Sequence, residues 1–225
     1  MHMLLEQIMG AQALFDPGAH TELRAQISTN RRVGLIGGEV TTNVRAESCG
    51  VSARVLRAGV YGFSSMAEMD EEAAKTVLAA ASENARFLDS HVNLGKGPLP
   101  PLPRATVTHF ASPRDAEQRE YVEFARAVDA YLAKKYPALA ARRVVAMSDS
   151  MEKALLCSDG ACGHNRAPRS YVYVMLTDTA KDGTPVDLFE PFGGAGDFSD
   201  RFSDPAALFA KIDALYERLQ KKKEG

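Results

Sequence analysis

The sequence predicts an α+β fold of mainly antiparallel sheets with helices packed on them, arranged as two lobes of similar size. Three observations predict it. Apolar and polar residues alternate with a period of two along Glu22-Leu23-Arg24-Ala25-Gln26-Ile27 and along Val51-Ser52-Ala53-Arg54-Val55, as strands with one buried face require. Between positions 70 and 90 the period becomes helical, and Ala74, Val77, Leu78, Ala81, Ala85 and Leu88 form one apolar stripe, small enough in its alanines for close approach to a sheet. Gly95, Gly97, Pro98, Pro100, Pro101 and Pro103 then read as an extended connector, since proline fixes φ and removes a donor. The lobes are therefore expected at 1–97 and 98–225.

Leu4, Leu5, Ile8, Ala11, Leu14 and Phe15 fit a first helix, ended by Pro17-Gly18. Four short strands are expected to follow as a meander, with turns at Gly37-Gly38, Cys49-Gly50 and Ala58-Gly59, because glycine tolerates the positive φ of a tight hairpin. The long helix over 70–90 covers them. The second lobe opens with a strand over 106–110 and a helix whose start is marked by Ser112, Pro113 and Asp115. Tyr121, Phe124, Ala125, Val128 and Leu132 are its inner face, and Pro137 ends it. Strands are expected over 143–148, 153–157, 170–178 and 185–189, with a hairpin turn at Asp182-Gly183. The last helix begins at Asp204-Pro205 and buries Leu208, Phe209, Ile212, Leu215, Tyr216 and Leu219.

Apolar residues make up 45% of the 225 and charged residues 25%, the composition of an ordinary globular protein. A net charge of -2 supplies no electrostatic reason for nucleic acid or an acidic membrane as partner, and Lys221-Lys222-Lys223 reads as a solvated helix end. Glu6 interrupts the opening apolar run before a signal core is complete, and no unbroken apolar segment has the length of a membrane span. Cytoplasmic residence is the expectation. Three cysteines do not form a disulfide framework.

One cluster has metal-ligand chemistry: Cys157, Cys162 and His164 stand within eight positions, separated by glycines that would let a loop fold around an ion. Against it, Ser158-Asp159-Gly160 is good turn chemistry, and both cysteines suit small apolar filler positions. Gly193-Gly194-Ala195-Gly196-Asp197 lacks the lysine of a phosphate loop and is expected to be a surface loop. Glu71-Glu72 at a helix start answers the helix dipole. Ser64-Ser65, Ser148-Asp149-Ser150 and His109 assemble no nucleophile and base, so no catalytic residue is assigned.

The run from Arg45 to Ser65, with Gly50-Val51-Ser52-Ala53-Arg54-Val55 and then Gly59-Val60-Tyr61-Gly62-Phe63-Ser64-Ser65, resembles the N-terminal domain of the TldD/PmbA family, whose members are classed as zinc-dependent peptidases. The likeness extends to Ser158-Asp159-Gly160 and to the closing Ala214-Leu215-Tyr216-Glu217-Arg218-Leu219 helix. The resemblance implies a noncatalytic N-terminal domain that contributes to a homo- or heterodimer with a TldD/PmbA-like subunit and to the cleft by which unfolded or modified peptides reach the active site. It implies zinc in a catalytic domain beyond this chain. The family's paired histidines with an adjacent glutamate are absent here, because His2, His20, His91, His109 and His164 are isolated and none precedes a glutamate. The chain alone should therefore be inactive. Two other readings stand beside this one: a freestanding noncatalytic partner or regulatory module of a full-length homologue, and a small zinc-binding protein using Cys157, Cys162 and His164.

Overall fold

The computed structural model describes residues 3–92, 106–110 and 116–224. The fold is α+β, as the sequence predicts. In chain order it comprises helix α1 (Met3–Met9), a 3-10 turn (Gly10–Leu14), strands β1 (His20–Ile36), β2 (Glu39–Arg57) and β3 (Val60–Met66), helix α2 (Glu71–Val92) and strand β4 (Thr106–Phe110). Helix α3 (Gln118–Lys135), strands β5 (Ala141–Cys157), β6 (Cys162–Thr179) and β7 (Pro185–Ala195), helix α4 (Phe198–Arg201), a 3-10 turn (Pro205–Leu208) and helix α5 (Phe209–Glu224) complete it. The strands are ordered β3-β2-β1-β5-β6-β4, with β7 also paired to β6. The β2–β3 and β6–β7 pairs are antiparallel, while β4 runs parallel to β6. The expected connector and the start signals Ser112, Pro113 and Asp115 lie outside the described residues, as does the expected boundary between 97 and 98.

The chain forms two compact units of similar size, interleaved in sequence. Unit 1 is Met1–Ser28, Glu47–Phe110 and Met151–Arg166; unit 2 is Thr29–Ala46, Ala111–Ser150 and Ala167–Gly225. The long strands β1, β2, β5 and β6 each contribute to both.

In unit 1 the meander has three strands rather than four, because Cys49-Gly50 lies inside β2 and is not a turn. Gly50 is needed for a different reason: a Cβ there would sit 2.5 Å from the Met66 carbonyl oxygen. The turns at Gly37-Gly38, in unit 2, and at Ala58-Gly59, in unit 1, form as expected, each with two successive positive φ angles, 58° and 91° in the first and 45° and 87° in the second. Leu23, Ala25, Val51, Ala53 and Val55 on the sheet pack against Ala74, Val77, Leu78, Ala81 and Ala85 of α2 and against Leu4, Ile8 and Ala11. Asp70 starts α2 by accepting a 2.8 Å hydrogen bond from the Ala73 amide. Two expected core residues are at the surface, Leu88 at 36% and Leu14 at 52% exposure. Leu88 lies one turn past the last alanine that touches the sheet, and Leu14 is in a 3-10 turn whose residues do not keep the 3.6 period.

In unit 2 the strands expected over 143–148 and 153–157 are one continuous strand, β5, and the last strand runs past 189 to Ala195. Polar side chains at Asp149 and Ser150 suggest a break, but the backbone pairs through groups that every residue carries. Residues 193–195 are consequently strand, not loop: Tyr171 pairs with Gly193 and Arg169 with Ala195. Helices α3 and α5 cover one face of this sheet. Tyr121, Phe124, Ala125, Val128 and Leu132 meet Ile212, Leu215, Leu219 and the inward residues Val33, Leu35, Val144, Ala146, Val172, Val174 and Leu176. Asp204 accepts from the Ala206 amide at 2.9 Å, so the last helical stretch begins where Asp204-Pro205 places it. Lys222 and Lys223 are not simply solvated; they bind the Asp187 carbonyl and the Asp178 carboxylate, each at 2.9 Å.

Asp213 of α5 accepts hydrogen bonds from the hydroxyls of Tyr131 and Tyr136 and from the Lys135 ammonium, all at 2.6 Å. Burial pushes its pKa up, but these bonds outweigh burial and hold the carboxyl below its ordinary value. A depressed folded pKa contributes stability above the unfolded value of about 3.9 and loses it as pH falls through the folded value. Asp213→Asn is expected to be less stable than the parent at pH 7. Denaturant titrations at descending pH should show that gap closing below about pH 4, and a gap independent of pH would remove the ionised carboxylate from the account.

Candidate functional site

The pleat of β1 sends Leu23 and Ala25 toward α2, so Glu22, Arg24 and Gln26 point to the opposite, bare face of the unit 1 sheet. A groove of about 700 Å³ crosses this face. Arg24 and Gln26 of β1, residues 48–52 of β2, Ser65 and Met66 of β3, Lys153 and Leu155 of β5 and Asn165 of β6 all reach it. Its lining is hydroxyls, amides, the Cys49 thiol, the His164 imidazole, two cations and a few apolar side chains, and it holds no carboxylate among the described residues. Such a surface can hold an extended polar chain through hydrogen bonds.

An ion network shapes one rim. Glu22 is 9% exposed and accepts from Arg24 at 2.6 Å and from Arg54 at 2.7 Å. Burial raises its pKa, the two guanidinium hydrogen bonds lower it by more, and the carboxyl stays below its usual range. Arg54 also lies 5.1 Å over the Tyr61 ring. These bonds hold Arg24 in place beside the groove.

The structure separates the three candidate metal ligands. Cys162 packs against the apolar cluster beneath α2, whereas Cys157 is buried near Glu22 and Arg24, on the other face. His164 is buried with its Nε2 2.9 Å from Glu152 Oε1. Burial, with Glu22 and Asp159 nearby, pushes the Cys157 thiol up to about 11. Among the described residues no group of three or more histidine, cysteine, aspartate or glutamate side chains is arranged to hold a metal ion. The zinc that the resemblance implies therefore has no fitting donor set in these residues. The loop between the cysteines is a turn, tied down by the Asp159 carboxylate accepting from the Ala161 amide at 2.9 Å and by Ser158 Oγ accepting from the Thr21 amide at 2.9 Å.

The other sequence candidates are also dispersed. Ser148 Oγ is hydrogen-bonded to the Tyr121 hydroxyl at 2.5 Å, Ser65 lines the groove, and the side chain of His109 lies outside the described residues. In the glycine-rich run, a Cβ on Gly193 would stand 2.1 Å from the Ser170 carbonyl oxygen, so the glycine serves strand packing and not anion binding. Sequence reasoning did not single out the groove. Its residues come from five strands, and only the polar members of the period-two pattern hint at it.

These observations define a class: an α+β protein in which each unit is a sheet covered by helices on one face and bare on the other. The chain belongs to the TldD/PmbA family. The family profile described as PmbA/TldA metallopeptidase domain 1 matches residues 21–85, and that described as PmbA/TldA metallopeptidase central domain matches residues 111–221. The chain thus carries the first and central domains of a family named for metallopeptidase activity. A search of curated proteins finds no match. Among solved structures, TldE from Thermococcus kodakarensis is similar at a TM-score of 0.64 and 14% identity, over 97% of this chain and 46% of that one. A protein described as a modulator of DNA gyrase from Bacteroides thetaiotaomicron gives 0.59 and 14%, over 84% and 44%. Another so described, from Thermotoga maritima, gives 0.57 and 12%, over 83% and 41%. At these identities the likeness is one of fold, and the chain spans less than half the length of each.

Proposed function

We propose that this chain is the noncatalytic N-terminal part of a TldD/PmbA-like metallopeptidase, acting in the cytoplasm. It contributes to a dimer with a TldD/PmbA-like subunit and to the cleft through which unfolded or modified peptides reach a zinc centre outside these residues. The observation that carries this reading is the pair of family domains at 21–85 and 111–221 in a chain spanning 41–46% of its solved relatives.

An edge suited to an extended peptide supports it. The pairing of β3 with β2 stops at Val51 and Met66, and among the described residues no strand pairs the outer side of residues 39–46 of β2. An extended chain can add to such an edge through main-chain hydrogen bonds. The Gln118 side chain now donates to Asn43 Oδ1 at 2.6 Å and to the Val44 carbonyl at 3.3 Å, so an incoming strand would displace it.

The test uses the purified 225-residue protein, alone and mixed with a full-length relative. Alone it should not cleave an unfolded peptide with zinc present, and it should associate with the relative at micromolar concentration. Cleavage that stops on chelation would overturn the noncatalytic assignment, and failure to associate would remove the dimer role. A second reading, a freestanding partner or regulatory module, draws on the two apolar clusters, each formed by residues of this chain. The intact mass of the natural product in its source cells separates the two.

A further inference from the structure

Unit 2 has its own bare face. Val144, Ala146, Val172, Val174 and Leu176 point toward α3 and α5, so the alternate residues of β5 and β6 point away from the helices. On that face a cavity of about 340 Å³ spans four neighbouring strands. Its floor is apolar and adaptable: Val145, 5% exposed, lies with the thioethers of Met147 and Met175. Tyr173 and Phe189 wall it, and the register places Phe189 directly across from Met175 with 65% of its surface exposed.

Two guanidinium groups complete the lining, Arg32 from β1 and Arg143 from the adjacent β5. No aspartate or glutamate lines the cavity, and neither arginine has an ion-pair partner among the described residues. Arg143 Nε is out of contact with water and has no hydrogen-bond acceptor. Arg142 and Arg54, by contrast, are each paired with a carboxylate, Asp129 and Glu22. A buried donor without an acceptor is costly, and a guanidinium beside an apolar cavity is best satisfied by an anion that brings apolar surface with it.

We propose that this cavity binds a carboxylate carried on an apolar group, with Arg32 and Arg143 taking the carboxylate and the methionines and Phe189 the apolar body. The planar fork of arginine pairs with carboxylate and phosphate alike, and the apolar lining favours the anion that brings apolar surface with it. The volume is that of a small-ligand site. Two sources share this chemistry: the C-terminal residue of a peptide, and a free aliphatic acid. The inference stands on the cavity alone and does not depend on the chain being part of a peptidase.

The experiment labels the methionine methyl groups of the 225-residue protein and follows Met147 and Met175 by NMR. The probes are acetyl-Ala-Ala-Phe with a free C-terminus, the same peptide as its amide, octanoate and inorganic phosphate. The free-acid peptide is expected to shift both signals and to bind about tenfold tighter than the amide, as expected for a charge-assisted pair. Octanoate binding in preference to the peptide supports the site and assigns the free acid as its source. Arg143→Gln should lower affinity about tenfold, and Arg32→Gln, at an exposed position that leaves the fold intact, should do so independently. Equal binding of acid and amide, no shift with either acid, competition by phosphate at equal concentration, or unchanged affinity in both variants would each overturn the proposal.

Discussion

Gly62→Ala is expected to destabilise unit 1 by about 3 kcal/mol, the upper end of the cost of overpacking. The atoms in the way are backbone, which no rotamer change relieves. A Cβ at position 62 would lie 2.0 Å from the Ala81 carbonyl oxygen, 2.4 Å from the Ala85 amide nitrogen and 3.0 Å from its Cα. Helix α2 would have to lift off β3 as a body. In doing so it would open the packing of Val77, Ala81 and Ala85, each 0% exposed, and shift the strand whose other face carries Tyr61 and Phe63. Urea denaturation followed by circular dichroism measures the effect. Ser65→Ala, an exposed position on the same strand, is the control and should stay within about 0.5 kcal/mol of the parent. A Gly62→Ala protein as stable as that control would mean that α2 does not approach β3 as described.

Asp129→Ala should cost a comparable amount in unit 2. Asp129 is 5% exposed and receives two bonds from one guanidinium, Arg142 Nε to Oδ1 at 2.9 Å and Nη2 to Oδ2 at 3.2 Å. Removing one partner of a buried pair strands the other charge, a loss of about 3–5 kcal/mol. The Arg142 side chain is 24% exposed, so water reaches it and the expected value is the lower end, about 3 kcal/mol. The effect has a local signature. The Gly37 amide donates to the Arg142 carbonyl at 3.0 Å, and Gly38 lies against Asp129, so the pair anchors the tip of the β1–β2 hairpin. Hydrogen exchange at Gly37 should accelerate in Asp129→Ala, and Asp129→Asn, which keeps one acceptor, should lose less. A stability of Asp129→Asn equal to that of the parent would show that the charge contributes nothing.

Much of this was legible in the residues. The period-two runs at 22–27 and 51–55 and the alanine stripe of α2 are patterns in which each residue reports its own burial, and all three occupy the faces they imply. The resemblance carried by Gly50 and Gly62 also survives, and the structure supplies its physical content: both glycines lie where a neighbouring backbone leaves no room for Cβ. The same residues show where reading stops. Gly50 reads as a turn and Gly193-Gly194 as a loop because glycine signals both positive φ and close approach, and only the neighbouring strand distinguishes them. Cys157, Cys162 and His164 are neighbours in sequence, but the pleat and the intervening turn direct them to different environments.

By itself the sequence determined the fold class and the helix-covered face of each sheet, because local periodicity is a property of residues taken a few at a time, and its glycine motifs carried the resemblance to the family. Tertiary structure alone decided the length of the strands, the interleaving of the two units, the polar groove of unit 1 and the placing of Arg32 and Arg143 at one cavity of unit 2. Each of these depends on which strands lie side by side, and backbone pairing between distant segments leaves no mark in the identity of the residues that make it.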